Sequence, residues 1–426
     1  MIAVYYISMN KMVDIKTEVI FPGRKKNQCW FSPTFTVVPS AGPNTAPFVL
    51  LSALQLTAND LGPLHYSYSS DLGKTWAPPF ETQNIFGIPL DDNIFEIPYL
   101  YPFYHRASNT LAALGATMFH RDAGQPFEYN KYKMEWHVFG RKSSIGFALW
   151  DNAKKDFFRW NKIDMGPIDS RIHLFSQRWH EEDDGAILFP YYTDETESTD
   201  TEFSGISKVG TIKMSFDGTE FKLLSIGTEI CIEKKYGLSE PDIVKYGRKY
   251  YMTIRSEIFE GENLEGHDNK MYHAQSDDGL NWYGLEDWKW DDGSPVQTEN
   301  TQQCWLRHKD NLYLIYTRIN DRSHGVFRNR APLWIAQVDT SNLSLIKNTE
   351  RVIFSGEGGV RCCNFSVHNV TETEAWVMVG EWILCQDPTI KESMRFWSPT
   401  TSNSVHYNKC QYLGDLKLAR IRFDSR

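Results

Sequence analysis

The sequence predicts an all-β protein built by radial repetition of short strands, and three observations predict it. Strand-like runs recur along the whole chain, a turn motif ending in tryptophan repeats, and helical periodicity is scarce. In chain order the runs are "PFVLLSALQL", "TLAALGATMF", "SIGFALWD", "GAILFPYYT", "KYYMTIRS", "NLYLIYTR", "LWIAQVD" and "AWVMVGEW". Each is too short for a typical helix and rich in β-branched or aromatic residues. Many close on turn formers such as "SSDLG", "SFDG", "SDDG", "DDG" and "HKDN", where Asp and Asn offer local acceptors and Gly opens left-handed backbone. At roughly 60–70 residues per elaborated four-stranded blade, 426 residues make six or seven blades. The expectation is a single β-propeller, six-bladed in preference to seven. No linker rich in Pro, Gly or Ser divides the chain, so one domain spans 1–426, with the first about 15 residues as an extended or disordered lead-in.

Composition narrows the function classes. Aromatics make up 14% of the chain, with 14 Trp and 21 Tyr, residues that pack on sheets and stack on sugar faces. The net charge of −9 and the absence of a sustained basic run speak against nucleic acid; "GRKKNQ" is too short to make a basic face. No stretch reaches the ~18 apolar residues of a membrane helix. The seven cysteines show no C-x-x-C spacing and read as reduced, mostly buried thiols. With no signal-like opening, the expectation is a cytoplasmic protein, secreted or periplasmic if a leader has been removed. No H-E-x-x-H or calcium-loop pattern occurs, so neither a metal nor a cofactor is expected.

The repeat is the most specific feature. "SSDLGKTW" (residues 69–76) has a second copy in "QSDDGLNW" (275–282), and weaker echoes in "SFDGTEF" and "WDNAKKDFFRW". Serine and aspartate side chains can bond the backbone of a tight hairpin turn, glycine supplies a left-handed residue, and tryptophan packs between sheets. Asp71 and Asp277 are therefore read as structural.

The pattern S-x-D-x-G-x-T-W resembles the Asp box of sialidases and related propeller glycosidases. More closely, "CWFSP", "GPLHYSYSSDLGKTW", "GLSEPDIVKYGRKYYMTIR", "NTQQCWLRH", "FRNRAPLWIAQVD" and "CCNFSV" resemble a bacterial group of sialidase-like propellers. The resemblance implies a set of site residues. Asp60, shortly before the first box, takes the place of the general acid. Glu240 and Arg255 match a glutamate followed by the second of three carboxylate-clamping arginines, and Arg330, with Arg328 beside it, matches the third. Two places depart from the family: Phe31 stands where the first arginine would be, and Phe365 where the tyrosine nucleophile would be. Phenylalanine in that place cannot form the tyrosine-linked covalent intermediate, so true exo-sialidase activity is the less favoured expectation.

Other candidates follow from residue chemistry. His105, in the aromatic stretch "PYLYPFYHRAS", is a candidate proton shuttle, and His137 has a similar setting. Arg318 joins Arg255 and Arg330 at strand ends, where an arginine pairs either with acidic neighbours or with an anionic sugar. "FSQRW" and "ENTQQCW" supply Gln177, Arg178, Asn300, Gln302 and Gln303, flanked by Trp179 and Trp305. Such amides saturate a blade turn or bond sugar hydroxyls between stacking rings. The leading expectation is a glycoside hydrolase acting on an acidic or substituted glycan. A polysaccharide lyase and a non-catalytic glycan-binding propeller are the alternatives.

Overall fold

The structure, a computed structural model, describes residues 12–40, 46–56, 62–82, 84–85, 88–91, 94–121, 144–166, 172–173, 178–193, 207–232, 236–258, 270–298, 301–321, 329–356, 360–384 and 412–424. Every strand-like run quoted above falls in a strand, and the described strands form six antiparallel sheets.

Sheet I holds Trp30–Val38, Phe48–Gln55 and Leu64–Ser69. Sheet II is built around Tyr101–His105, Thr110–Arg121 and Ile145–Asp151. Sheet III contains His180–Glu181, Ile187–Thr193, Lys208–Phe216 and Phe221–Ile226. Sheet IV contains Tyr236–Tyr246, Lys249–Ile258, Met271–Ser276 and Tyr283–Asp287. Sheet V begins with Cys304–His308, Asn311–Thr317 and Leu333–Asp339. In sheet VI, Arg361–Thr371, Glu374–Leu384 and Tyr412–Phe423 are completed by the early strand Met12–Phe21. Of the expected lead-in, residues 12–15 open an ordered strand whose backbone pairs with Tyr412–Phe423, and residues 1–11 lie outside the described residues.

Apolar side chains on both faces of each sheet are buried against the next one, which makes the arrangement propeller-like. Leu50 and Tyr66 of sheet I meet Ala113 and Trp150 of sheet II, and Phe103 and Phe147 of sheet II meet Phe189 and Ile212 of sheet III. Leu188 packs on Met252, Tyr251 on Leu314, Ile315 on Val377, and Trp376 on Phe35. The last contact returns to sheet I, so the ring closes. Parts of the chain more than 400 residues apart are zipped together at Lys16 and Arg420.

Aspartate turns join the outer strands. In sheet I, Asp71 Oδ1 accepts the Thr75 N–H at 3.0 Å and Oδ2 the Thr75 hydroxyl at 2.6 Å, while Ser69 Oγ accepts the Gly73 N–H at 2.9 Å. Gly73 has φ 69, and a Cβ there would lie 2.8 Å from Trp376, so side chains are excluded twice. The same economy recurs at Asp151, Asp217, Asp278 and Asp339, whose carboxylates accept backbone N–H groups two or three residues on. In "QSDDGLNW" the working aspartate is Asp278 rather than Asp277, because Ser276 sits two residues before it and bonds it at 2.9 Å. The second copy is one residue shorter between aspartate and tryptophan than the first. Trp282 still reaches the neighbouring sheet, donating from Nε1 to Thr211 Oγ1 at 2.9 Å.

Candidate functional site

Three first strands share one irregularity. In Trp30–Val38, Tyr236–Tyr246 and Arg361–Thr371 the pairing register slips by one residue, between Phe31 and Thr34, Ser239 and Asp242, and Cys363 and Ser366. Each bulge carries a non-glycine residue in left-handed backbone: Ser32 at φ 49, Glu240 at φ 45 and Asn364 at φ 50. Bulges re-aim side chains and cluster at functional sites. In the sequence the three bulges read "FSPTF", "SEPDI" and "CNFSV", a small or polar residue before Pro or Phe, and of their left-handed residues only Glu240 is a site candidate by its chemistry.

Glu240 and Arg255 are brought together. Ser239 pairs opposite Arg255 across the strands, and the bulge turns the Glu240 carboxylate onto Arg255 Nη1 at 2.6 Å. Two residues further on, Asp242 is buried and forms the centre of a contact between three sheets. Its Oδ2 accepts Arg178 Nη1 at 2.8 Å and the Trp305 N–H at 2.7 Å, and Arg178 Nη1 also donates to the Trp305 carbonyl at 2.8 Å. Burial raises the Asp242 carboxyl above the usual carboxylate range, against the lowering pull of Arg178. Beside it, burial pushes the Cys304 thiol up to about 12 and the His368 imidazole down to about 3, the latter helped by the charge of Arg178. Both are therefore neutral near pH 7.

The remaining candidates divide. Gln302 donates to the Phe365 carbonyl at 3.0 Å, and Gln303 accepts from Thr253 and donates to Thr301, so these amides tie the start of sheet V to its neighbours, sheets VI and IV. Arg330 is anchored through its carbonyl, which accepts the Cys362 N–H at 2.6 Å, three residues before Phe365. Trp305 is not a stacking surface. Its ring is buried against Trp288, 5.5 Å between centroids, in the core between sheets IV and V. Trp179 likewise packs edge-on to Phe103 at 4.6 Å. Arg318 is committed elsewhere, forked onto Glu350 at 2.8 Å through both Nε and Nη2 and lying over the Trp334 ring.

His105 belongs to the other end of the strands. Its Nε2 donates to the Gly185 carbonyl at 2.8 Å and lies 3.7 Å from Glu181. The adjacent Glu182 pairs with Lys245 at 2.8 Å, five residues past Glu240 and so about 16 Å along the strand. His105 lines a separate cavity of about 470 Å³ with Ser108, Asp184 and Asp217. Asp60, Gln177, His137, Asn300 and Arg328 lie outside the described residues.

No protein-family model matches the chain, and no curated protein matches its sequence. Solved structures do match its fold. A protein of unknown function from Dyadobacter fermentans superposes with a TM-score of 0.60 at 11% identity, covering 96% of this chain and 99% of that one. The NanB sialidase from Streptococcus pneumoniae gives 0.53 at 10% identity, over 97% of this chain and 71% of its own. Trypanosoma rangeli sialidase in complex with sialic acid gives 0.50 at 12% identity, over 96% and 59%. The fold is sialidase-like. Within that fold, Phe31 and Phe365 are core residues, 2% and 1% exposed. Glu381, at the end of "VMVGEW", is held by Arg24 at 3.1 Å and Lys417 at 2.6 Å.

Proposed function

We propose that each of the six sheets is one blade of a single propeller, and that the protein is a glycoside hydrolase acting on an acidic or substituted glycan. The observation that carries this is the Glu240–Arg255 pair, held at 2.6 Å on a left-handed bulge beside a buried Arg178–Asp242 contact. Strained backbone persists where surrounding structure holds it, and such positions concentrate at sites of chemistry. The sialidase-like fold and the aspartate turns, which fit the Asp-box pattern, support a glycan as substrate.

Hydrolysis of a glycosidic bond needs an acid for the leaving oxygen and a base or nucleophile at the anomeric carbon. Asp60 is proposed as the acid and Glu240 as the second carboxylate, oriented by Arg255. Arg178 is proposed to meet an anionic substituent, with Arg330 in the place that the resemblance gives to the third clamp arginine. Phe365 removes the tyrosine route, so Glu240 acts directly or through water. Incubation with uronate-containing and sialylated oligosaccharides tests this: new reducing ends without the ultraviolet absorbance of an unsaturated uronate support hydrolysis. Absorbance would move the reading to a lyase, and cleavage unaffected by Glu240→Gln and Asp60→Asn would end it.

A second reading is a glycan-binding propeller without catalysis. It is favoured by the burial of Phe31 and Phe365 where sialidases carry an arginine and a tyrosine. Saturable binding of an acidic oligosaccharide that is recovered uncleaved would select it.

A further inference from the structure

Granted the acidic-glycan reading above, on which this rests, we infer that the Nε–Nη2 edge of Arg178 is a fork for the carboxylate of a sugar acid. Arg178 is only 9% exposed. Its Nη1 makes two hydrogen bonds, to Asp242 and to the Trp305 carbonyl. Nε and Nη2 are buried and have no hydrogen-bond partner among the described residues. A guanidinium does not shed its proton, so two charged N–H donors out of water are costly until an acceptor meets them. Nε–H and Nη2–H lie parallel on one edge, the spacing that a planar carboxylate accepts in two bonds.

The surroundings specify more than an anion. His368 Nε2, Ser366 Oγ and Thr34 Oγ1 are also buried without partners among the described residues. Thr34, Asp242 and Ser366 are the first residues back in register after the three bulges. The field of Arg178 reaches His368, whose imidazole is kept neutral and bonds the Phe35 backbone, leaving Nε2 with a bare lone pair. Two charged donors and the His368 acceptor within their field are complementary to a molecule that presents a carboxylate together with a hydroxyl group. Asp242 and Glu240 belong to the same bulge, so the fork's anchor and the candidate catalytic carboxylate are held by one short piece of backbone. The other arginines are less suited: the position of Phe31 offers none, Arg255 holds Glu240, and Arg318 holds Glu350.

The test measures binding, separately from cleavage, with the full chain titrated by D-glucuronate, its methyl ester and D-glucose. Glucuronate should bind at least about tenfold more tightly than the ester or glucose. Arg178→Lys keeps a donor for Asp242 but deletes the fork, and should cost about tenfold or more in glucuronate affinity. Arg255→Lys and Arg330→Lys should cost less. In the wild-type protein, glucuronate and not glucose should shift the Nε–H resonance of Arg178, a readout that needs no variant to fold. Equal binding of acid and ester, a wild-type affinity in Arg178→Lys, or a loss that follows Arg255 or Arg330 instead would overturn the assignment. Cleavage of an acidic glycan alongside any of those results would leave the hydrolase reading standing. Acid-selective binding through Arg178 with no cleavage would uphold the fork and remove the hydrolase.

Discussion

Glu240 is the residue on which most of the proposed chemistry depends. Gln keeps its size and left-handed backbone while losing acid–base capacity. Glu240→Gln should therefore lower cleavage by about 10²–10⁴-fold, and, because it leaves the buried Arg255 without its carboxylate, also lower the melting temperature of a still folded protein, compared by reducing-end assay and calorimetry. The turn aspartates predict something different. Thr75 holds the Asp71 carboxyl down to about 2, first through its hydroxyl and then through its backbone N–H, and Thr219 does the same for Asp217. The unfolded carboxylates bind protons nearer pH 4, so the folded state binds fewer protons between those values. The stability they contribute is complete above about pH 4 and is lost as pH falls toward about 2. Urea titrations at pH 6 and pH 3 should show a smaller loss on acidification for Asp71→Ala than for the wild type; an identical loss would remove Asp71 from the acid response.

Among elements, the bulged first strands carry the most stored constraint. Asn364 at φ 50 is a position that asparagine tolerates and a β-branched residue does not. Asn364→Val should cost about 1–2 kcal/mol in urea unfolding, and Asn364→Gly little or nothing. The contact across sheets III, IV and V is asymmetric in another way. Arg178→Met leaves the Asp242 charge buried without its partner, a loss of about 3–5 kcal/mol, whereas Arg178→Met combined with Asp242→Leu should recover much of it. A double variant as unstable as the single one would show that the Trp305 bonds, rather than the ion pair, hold these strands in place.

For the whole molecule, closure decides stability. The strand Met12–Phe21 supplies the last edge of sheet VI, and its Ile15, Ile20 and Phe21 pack on the cores toward sheets V and I. Deleting residues 1–21 should cost roughly 3–5 kcal/mol from those half-buried side chains alone. It should also expose the Tyr412–Phe423 edge to proteolysis. Limited digestion that leaves this strand as protected as in the full chain would argue against closure as the main clasp. The ring also explains which site candidates met. Glu240 and Arg255 are joined by one hairpin, whereas Arg178 reaches Asp242 over 64 residues and Trp305 over 127.

The sequence by itself determined the features whose physics is local. Short apolar runs closed by Asp and Gly specify strands and turns, and Glu240 and Arg255, which the resemblance marks out, fall on the two strands of one hairpin. The aspartate turns are the same case, since each carboxylate bonds N–H groups of its own turn; only a one-residue offset moved the second role from Asp277 to Asp278. Only the tertiary structure decided the rest. Trp305 could have been a sugar platform until the neighbouring sheet covered it, and Trp179 packs edge-on against Phe103. His105 could have been a shuttle until the direction of its strand put it at the opposite end from Glu240. Arg318 found Glu350, and one edge of Arg178 is buried without a hydrogen-bond partner among the described residues. These outcomes depend on which sheets abut when the ring closes, and that depends on the packing of all six sheets together rather than on any one segment.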